Sequence, residues 1–503
     1  MEKTMFRVAP MFSDHMVLQR DKKIVVWGYG PEDKKVCVTL AGVTVETTVS
    51  GNKWELTLEP LSAGGPYTME VACNNETILF QDVMVGEVWF AGGQSNMELE
   101  LQNCDHAEEE LKNANYEGIR FYNVIKAGII TAEVLEQQEK SKWRVCRSEQ
   151  VKDVSAVAYF CARKLHHELG VAIGVIDCYI GGTSATCWMD KETLMSTPET
   201  AGYVRDYDER IGDKTDEKYA EEMAEYNRQW QEWDAGVQAE RKKNPEVTWE
   251  YLNEHVGLCP WPQPAGRASN FRPGNPYKAM MVRVIPYTIR GFWYYQGEED
   301  TYKAEAYGVL MKQLIELWRK KWGDEKAPFI LNQLPMYIAK GEEDDKSWAV
   351  LREQQMLTAR NIPYTYMNVL IDCGEFDNIH PTDKQTVGWR MALQCMEHVY
   401  GISCKADSPS YEAVRTEENR VVVTFHCEKL MVKGDRISLF ELAGDDGVFY
   451  PAEAELCSNQ EVGVFCQKVA EPKYVRYAWT NFGQVTLFGE NELPAAPFRA
   501  TVS

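Results

Sequence analysis

Val88-Trp89-Phe90-Ala91-Gly92-Gly93-Gln94-Ser95-Asn96-Met97 carries an apolar run straight into two glycines, an amide and a hydroxyl. The first four residues have the length of a short strand and no polar face, so both of its sides must be covered. The same grammar recurs farther along the chain. A helical period over 154–169 puts Val157, Phe160, Cys161, Leu165 and Leu169 on one face and stops at Gly170. An apolar strand at 172–180 then ends in Gly181-Gly182. Strands at 289–295, 329–334 and 364–371 alternate with helices at 302–322, 347–359 and from Pro381 to about Tyr400. Helices alternating with fully apolar strands predict an α/β fold, a parallel sheet flanked by helices.

Outside this region the period changes to two. Val36-Cys37-Val38-Thr39-Leu40 and Trp54-Glu55-Leu56-Thr57-Leu58 on one side, and Val421-Val422-Val423-Thr424-Phe425 on the other, predict β-domains at both ends. The segment 196–268 interrupts the αβ alternation and reads as mainly helical, most clearly over Asp216–Lys243. The expected organisation is therefore an N-terminal β-domain (1–85), a split α/β domain (86–195 and 269–403), a helical insertion (196–268) and a C-terminal β-domain (404–503).

A chain of 503 residues is too long for one core, and 44% hydrophobic with 26% charged residues excludes disorder as its main state. Its 54 basic and 76 acidic residues leave a formal charge of −22, which argues against nucleic acid or an anionic membrane as partner. No apolar run is long enough to span a bilayer. Glu2, Lys3, Arg7 and Asp14 interrupt any leader-like core, so a cytoplasmic location is expected. The 14 cysteines form no Cys-x-x-Cys pair, and Cys37, Cys161, Cys178 and Cys466 sit in apolar runs as free thiols would.

Parallel sheets bind ligands at the carboxyl ends of their strands. There the sequence places Ser95, then Gly181-Gly182-Thr183-Ser184, then Gln296-Gly297-Glu298-Glu299, and finally Asp377-Asn378-Ile379-His380-Pro381. Of the 8 histidines, only His380 follows a predicted strand with a carboxylate three residues before it. These are the parts of a nucleophilic hydrolase. Ser95 on a glycine-flanked turn would attack, His380 would take its proton, and Asp377 would orient the imidazole. The backbone N–H groups of Ser95 and Gly182 and the amide of Gln296 would hold an oxyanion.

Gly93-Gln94-Ser95-Asn96-Met97, Gly181-Gly182-Thr183, Trp293-Tyr294-Tyr295-Gln296-Gly297-Glu298 and Asp377-x-x-His380-Pro381 resemble the four blocks of SGNH hydrolases, in the form of the sialate O-acetylesterase branch. The likeness extends to the opening segment Met11–Arg20 and to the closing Val475-Arg476-Tyr477-Ala478-Trp479 and Leu493–Arg499, leaving only 196–268 unmatched. The resemblance implies Ser95, Asp377 and His380 as a triad, with an oxyanion hole from the second-block glycine and the third-block amide. Gln296 stands where the superfamily usually has the shorter Asn. Either Gly181 or Gly182 could donate, and Gly182 is favoured because it lies farther past the strand.

The implied activity is removal of acetyl groups from a carbohydrate, sialic acid first, without metal or organic cofactor. Acetylated xylan or xyloglucan fragments are the alternative substrates, and a non-catalytic carbohydrate-binding protein is the alternative of another class. Asn96, beside the nucleophile, is expected to touch the substrate. In the insertion, Tyr219, Tyr226, Trp230 and Trp233 have the spacing of a packed helix face, whereas Trp249, Tyr251 and Trp261 are candidates to stack on sugar, Trp261 foremost. The oligomeric state is not legible.

Overall fold

The computed structural model describes residues 5–244, 247–417 and 420–502. Glu2 and Lys3, which counted against a leader, lie outside them. Among the described residues the central sheet contains β1 (Glu76–Gly93), β2 (Asn115–Asn123), β3 (Arg144–Arg147), β4 (Ile173–Tyr179), β5 (Gly291–Tyr295), β6 (Phe329–Asn332) and β7 (Thr365–Asn368). Their spatial order is β3-β2-β4-β1-β5-β6-β7, and every pairing is parallel except that of the edge strand β3. The chain adds strands first on one side of β1 and then on the other. β1 therefore lies at the switch point, where a crevice opens beyond the carboxyl ends.

The helices that concern the site are α1 (Ser95–Glu98), α2 (Ala156–Leu169), α3 (Pro198–Ile211), α4 (Asp216–Lys243), α5 (Trp249–His255), α6 (Tyr307–Trp322), α7 (Ser347–Asn361) and α8 (Lys384–His398). Residues of β4 and β5 are buried on both faces, as their unbroken apolar sequences require. Val88, Phe90, Phe292 and Tyr294 face α6 and α7 in one core, while Trp89, Ala91, Trp293 and Tyr295 face α2 and α8 in the other. Trp89 and Trp293 stack on adjacent strands, with ring centroids 5.1 Å apart.

Three departures from the sequence reading bear on the site. β2 and β3 lie in a stretch where no strand was expected. β1 runs without a break through the position expected to separate two domains. Its first half pairs with Gly64–Cys73 and Val17–Gln19, and its second half with β4 and β5. The helix expected from Pro381 begins instead at Lys384, because the Asp383 carboxylate caps it by accepting from Thr386 N at 3.0 Å. Residues before it stay in a loop tied by Glu375, which accepts from Thr382 N and Asn378 Nδ2. The segment 196–268 is mainly helical (α3, α4, α5), and antiparallel strands return beyond 404. No helix among the described residues is long and apolar enough to cross a membrane.

Candidate active site

The turn after β1 is made by Gly93, whose φ is 141° and whose Cα lies so near Tyr295 that a Cβ would fall 2.0 Å from its carbonyl oxygen. Gln94 N donates to that same carbonyl at 3.0 Å, and the chain then turns into α1 with Ser95 as its first residue. His380, on the loop before α8, sets Nε2 2.8 Å from Ser95 Oγ. A hydroxyl and an imidazole, 285 residues apart in sequence, are thus in hydrogen-bond contact, the geometry that a nucleophile and its base require. His380 N donates to Asn378 Oδ1 at 3.0 Å, which fixes the loop. Burial, and then the charge of Lys384, lower the imidazole's pKa to about 4, so it is neutral at pH 7 and able to accept a proton.

Asp377 does not meet His380. Its Oδ1 accepts from Lys340 N at 2.9 Å and its Oδ2 from Asn253 Nδ2 at 3.3 Å. Its backbone sits in the left-handed region (φ 58°), which turns the side chain toward those partners. Among the described residues no hydrogen bond engages His380 Nδ1. The structure therefore joins Ser95 to His380 and leaves the third expected member beside them, held in part by the insertion helix α5.

Asn96 is not a substrate contact. It is fully buried, its Nδ2 donates to Glu298 Oε1 (2.5 Å) and Ile379 O (2.9 Å), and its Oδ1 accepts from Lys384 Nζ (2.6 Å). Both ends of the amide are committed, so it pins the Ser95 turn to the histidine loop and to the turn after β5. Burial lowers the Lys384 pKa to about 8 and raises that of Glu298.

Gly181 N donates to Glu98, whereas no hydrogen bond among the described residues uses Gly182 N. Of the two glycines, Gly182 is the one with a donor to spare. Gln296 is not. Its Nε2 lies within reach of Asp300 Oδ2 (2.8 Å), Gln94 Oε1 (3.1 Å) and Thr183 O (3.2 Å), and its Oε1 accepts from Tyr307 (3.0 Å). Two amide hydrogens already face three acceptors, so the expected oxyanion role finds no free donor here. Asp300 in turn accepts from Ser184 Oγ (2.6 Å) and Ala185 N (2.9 Å), tying the turn after β5 to the glycine loop.

A cleft of about 480 Å³ opens beside Gly182 and is lined also by Tyr207, Arg210, Trp261, Glu299 and Tyr302. That volume suits a small-molecule site. The Trp261 ring lies so close over Gly182 that a Cβ there would come within 2.1 Å of it. Trp249 instead stacks on Trp233, and Tyr251 on His255, so of the three candidate rings Trp261 alone lines the cleft. In the helix-face set Tyr226 is buried and Trp230 is exposed. Arg210 sits over Tyr207 at 5.4 Å and makes no ion pair among the described residues. Asp206, by contrast, pairs with Lys303. Burial, and then Asp300, push the Glu299 carboxyl up to about 7.

Gln94, Glu298, Asp300, Lys384 and Arg210 were given no role in the site from the sequence, although Gln94 and Glu298 stand inside the blocks quoted above. Glu298 and Asp300 had a signal, two acids in the turn directly after a buried strand. Lys384 and Arg210 stand among other charged residues and had none.

Residues 201–397 match the model of a carbohydrate esterase family described as sialic acid-specific acetylesterase. Over 99% of its length the chain is 26% identical to the sialate O-acetylesterase of Mus musculus and 25% identical to that of Homo sapiens, covering 95% and 93% of those proteins. It also resembles the crystal structure of a carbohydrate acetylesterase from Xanthomonas citri, with 26% identity, a TM-score of 0.78, and coverage of 98% of this chain and 99% of that one.

Proposed function

We propose that this chain, which belongs to the sialate O-acetylesterase-type carbohydrate esterases and is a carboxylic ester hydrolase, removes O-acetyl groups from sialic acids through an acetyl-Ser95 intermediate of the SGNH kind. The observation that carries the mechanism is the 2.8 Å contact between His380 Nε2 and Ser95 Oγ, with Gly181 packed on Ser95 and the next residue, Gly182, lining the cleft. Ser95 Oγ attacks the acetyl carbonyl carbon while its proton passes to His380 Nε2. The N–H groups of Ser95 and Gly182 receive the oxyanion. Collapse expels the sugar oxygen, which takes the proton from Nε2. Water then gives a proton to Nε2 and its oxygen to the acetyl carbon, and acetate leaves as Ser95 Oγ regains the proton. Asp377 is the proposed partner of Nδ1, which it reaches only after releasing Lys340 N and Asn253.

Sialate is the finer reading. It is supported by Arg210, among the described residues the one cation that lines the cleft, where it stands with Asp206, Glu209 and Glu299 and offers the charge with which a sugar carboxylate pairs. Aromatic rings there suit stacking on a sugar face. A cytoplasmic setting is proposed on the fourteen cysteines, all of them free. Disulfides found by mass spectrometry in the native protein would count against it.

Initial rates on acetylated sialic acids against acetylated xylo-oligosaccharides test the substrate. Higher kcat/KM on the sialates is expected, and the reverse would move the protein to hemicellulose. Ser95→Ala should lose turnover by about 10⁴-fold or more and no longer react with a fluorophosphonate probe. Labelling that persists in the variant would reject Ser95 as nucleophile.

A further inference from the structure

The carboxylate expected beside His380 is held away from it by two elements at once. Asp377 Oδ1 accepts from Lys340 N at 2.9 Å, and Asp377 N donates to Ile338 O at 3.1 Å, so the segment 338–340 grips both its side chain and its backbone. Asn253 of α5 supplies the second grip, with Nδ2 3.3 Å from Oδ2 and 3.4 Å from the Asp377 carbonyl oxygen. α5 also binds the gripping segment itself, through Glu250 (2.8 Å) and Glu254 (2.5 Å) on Lys340 Nζ. One short helix thus touches the acid and the backbone that clamps it.

α5 is lightly seated. Leu252 is its one buried residue, and Trp249 stacks on Trp233 of α4. An element that buries so little apolar surface is among the first to shift in a folded protein. The chain leaving α5 is tied to α4, where Gly257 O accepts from Trp233 Nε1 (2.9 Å) and Pro260 O from Tyr226 OH (3.0 Å). The next residue is Trp261, against Gly182 in the cleft. α5, Trp261 and one face of α4 are therefore joined as a unit that reaches from Asp377 to the cleft wall.

We propose that Asn253 is a positioning residue: α5 holds Asp377 off His380 in the free protein, and a sugar seated on Trp261 shifts this unit and lets the carboxylate turn to Nδ1. The substrate then completes the triad, an induced fit in which selectivity costs some rate on small esters. This inference rests on the esterase reading above and deepens it, because it gives the insertion a part in the chemistry. No covalent bond changes at Asn253. Asp377 exchanges its hydrogen bonds from Lys340 N and Asn253 Nδ2 for one from His380 Nδ1–H.

The test is Asn253→Ala, with Leu252 left to keep α5 in place. On an aryl acetate, small enough to occupy the core alone, kcat should rise about three- to tenfold, the population shift expected from the loss of one hydrogen bond. The released carboxylate beside the imidazole favours its charged form, so the acid limb of kcat/KM should move up in pH. On the acetylated sugar that the wild type prefers, which already releases Asp377, kcat should change by less than about twofold. Asn253→Ala combined with Asp377→Asn should show no gain over Asp377→Asn alone. Unchanged kcat with an unmoved limb on the aryl acetate would overturn the proposal, as would a gain that survives in the double variant. A fall in kcat with the limb unmoved would reduce Asn253 to a support of the fold. Equal gains on both substrates would take the sugar out of the release and overturn the induced fit. Should the wild-type protein hydrolyse no acetyl ester, the esterase reading would fail first, and the two failures stay distinct.

Discussion

His380 sets the pH behaviour of the site. Burial and the Lys384 charge both disfavour imidazolium, so the base stays deprotonated well below the usual histidine range. The proposed mechanism requires the neutral ring. The acid limb of kcat/KM is therefore expected to lie below pH 6.5 and toward about 4, with activity lost as pH falls through it. Lys384→Met removes the smaller of the two causes, so the limb should move up in pH without reaching the ordinary value. A pH–rate profile of both proteins reads this directly, and an unmoved limb would show that Lys384 acts only through Asn96. Asp377 gives the second test at this scale. If it swings onto Nδ1 during turnover, Asp377→Asn should lower kcat by about 10²–10⁴. A loss under tenfold would mean that Ser95 and His380 work as the pair seen in the structure.

At the scale of elements, the glycine loop after β4 and the insertion meet where Trp261 lies over Gly182. Gly182 has φ 72°, where any other residue is strained by about 1–2 kcal/mol, and its Cα faces the indole with no room for a methyl group. Gly182→Ala is expected to cut kcat by more than tenfold. Combining it with Trp261→Ala should recover part of that loss, because the steric share disappears and the backbone share remains. Kinetics of the two single variants and the double variant measure the coupling, and purely additive losses would show that the ring does not bear on the loop. Trp261→Ala alone should raise KM for the acetylated sugar about tenfold and leave a small aryl acetate nearly unaffected. The α4 helix was legible over Asp216–Lys243 because its period and its flanks are local. The pairing of Trp249 with Trp233 was not, since it depends on how α5 folds back on α4.

Across the whole molecule, β1 makes the N-terminal strands and the catalytic sheet one structure. Glu87 lies at the joint, fully buried, with Arg20 Nε at 2.5 Å, Arg290 Nε at 2.7 Å and Gln19 Nε2 at 3.1 Å. Burial would raise its carboxyl, but Arg290 and then Arg20 and Gln19 outweigh that and hold it low. Glu87→Gln leaves the Arg290 guanidinium without its ion-pair partner and Arg20 with only Asp21, 3.6 Å away, and should cost about 3–5 kcal/mol. Urea unfolding of the variant against wild type measures it. A cost below about 1 kcal/mol would show the network to be solvated in solution. The same joint predicts that a chain starting at residue 86 does not fold alone, because it would remove half of β1 and two of the three partners of Glu87, Gln19 and Arg20.

The sequence by itself determined the alternation of strands and helices on either side of the insertion, β2 and β3 excepted, together with the glycine turns at 92–93 and 181–182 and the types of group at the carboxyl edge of the sheet. Each of these follows from neighbours in the chain: apolar runs, a helical period, a glycine where the backbone must turn. Which donor meets which acceptor was decided only in the tertiary structure. Asn96 looked free to touch substrate until Lys384 and Glu298 arrived at its two ends. Gln296 looked like an oxyanion donor until Asp300, Gln94 and Thr183 claimed its hydrogens. Asp377 looked bound to His380 until Lys340 N and Asn253 took its carboxylate. A buried polar atom is satisfied by whatever partner the packing brings within 3 Å or so. For Asn96 and Gln94 those partners come from segments about two hundred residues or more away, and no local pattern specifies which of them will arrive.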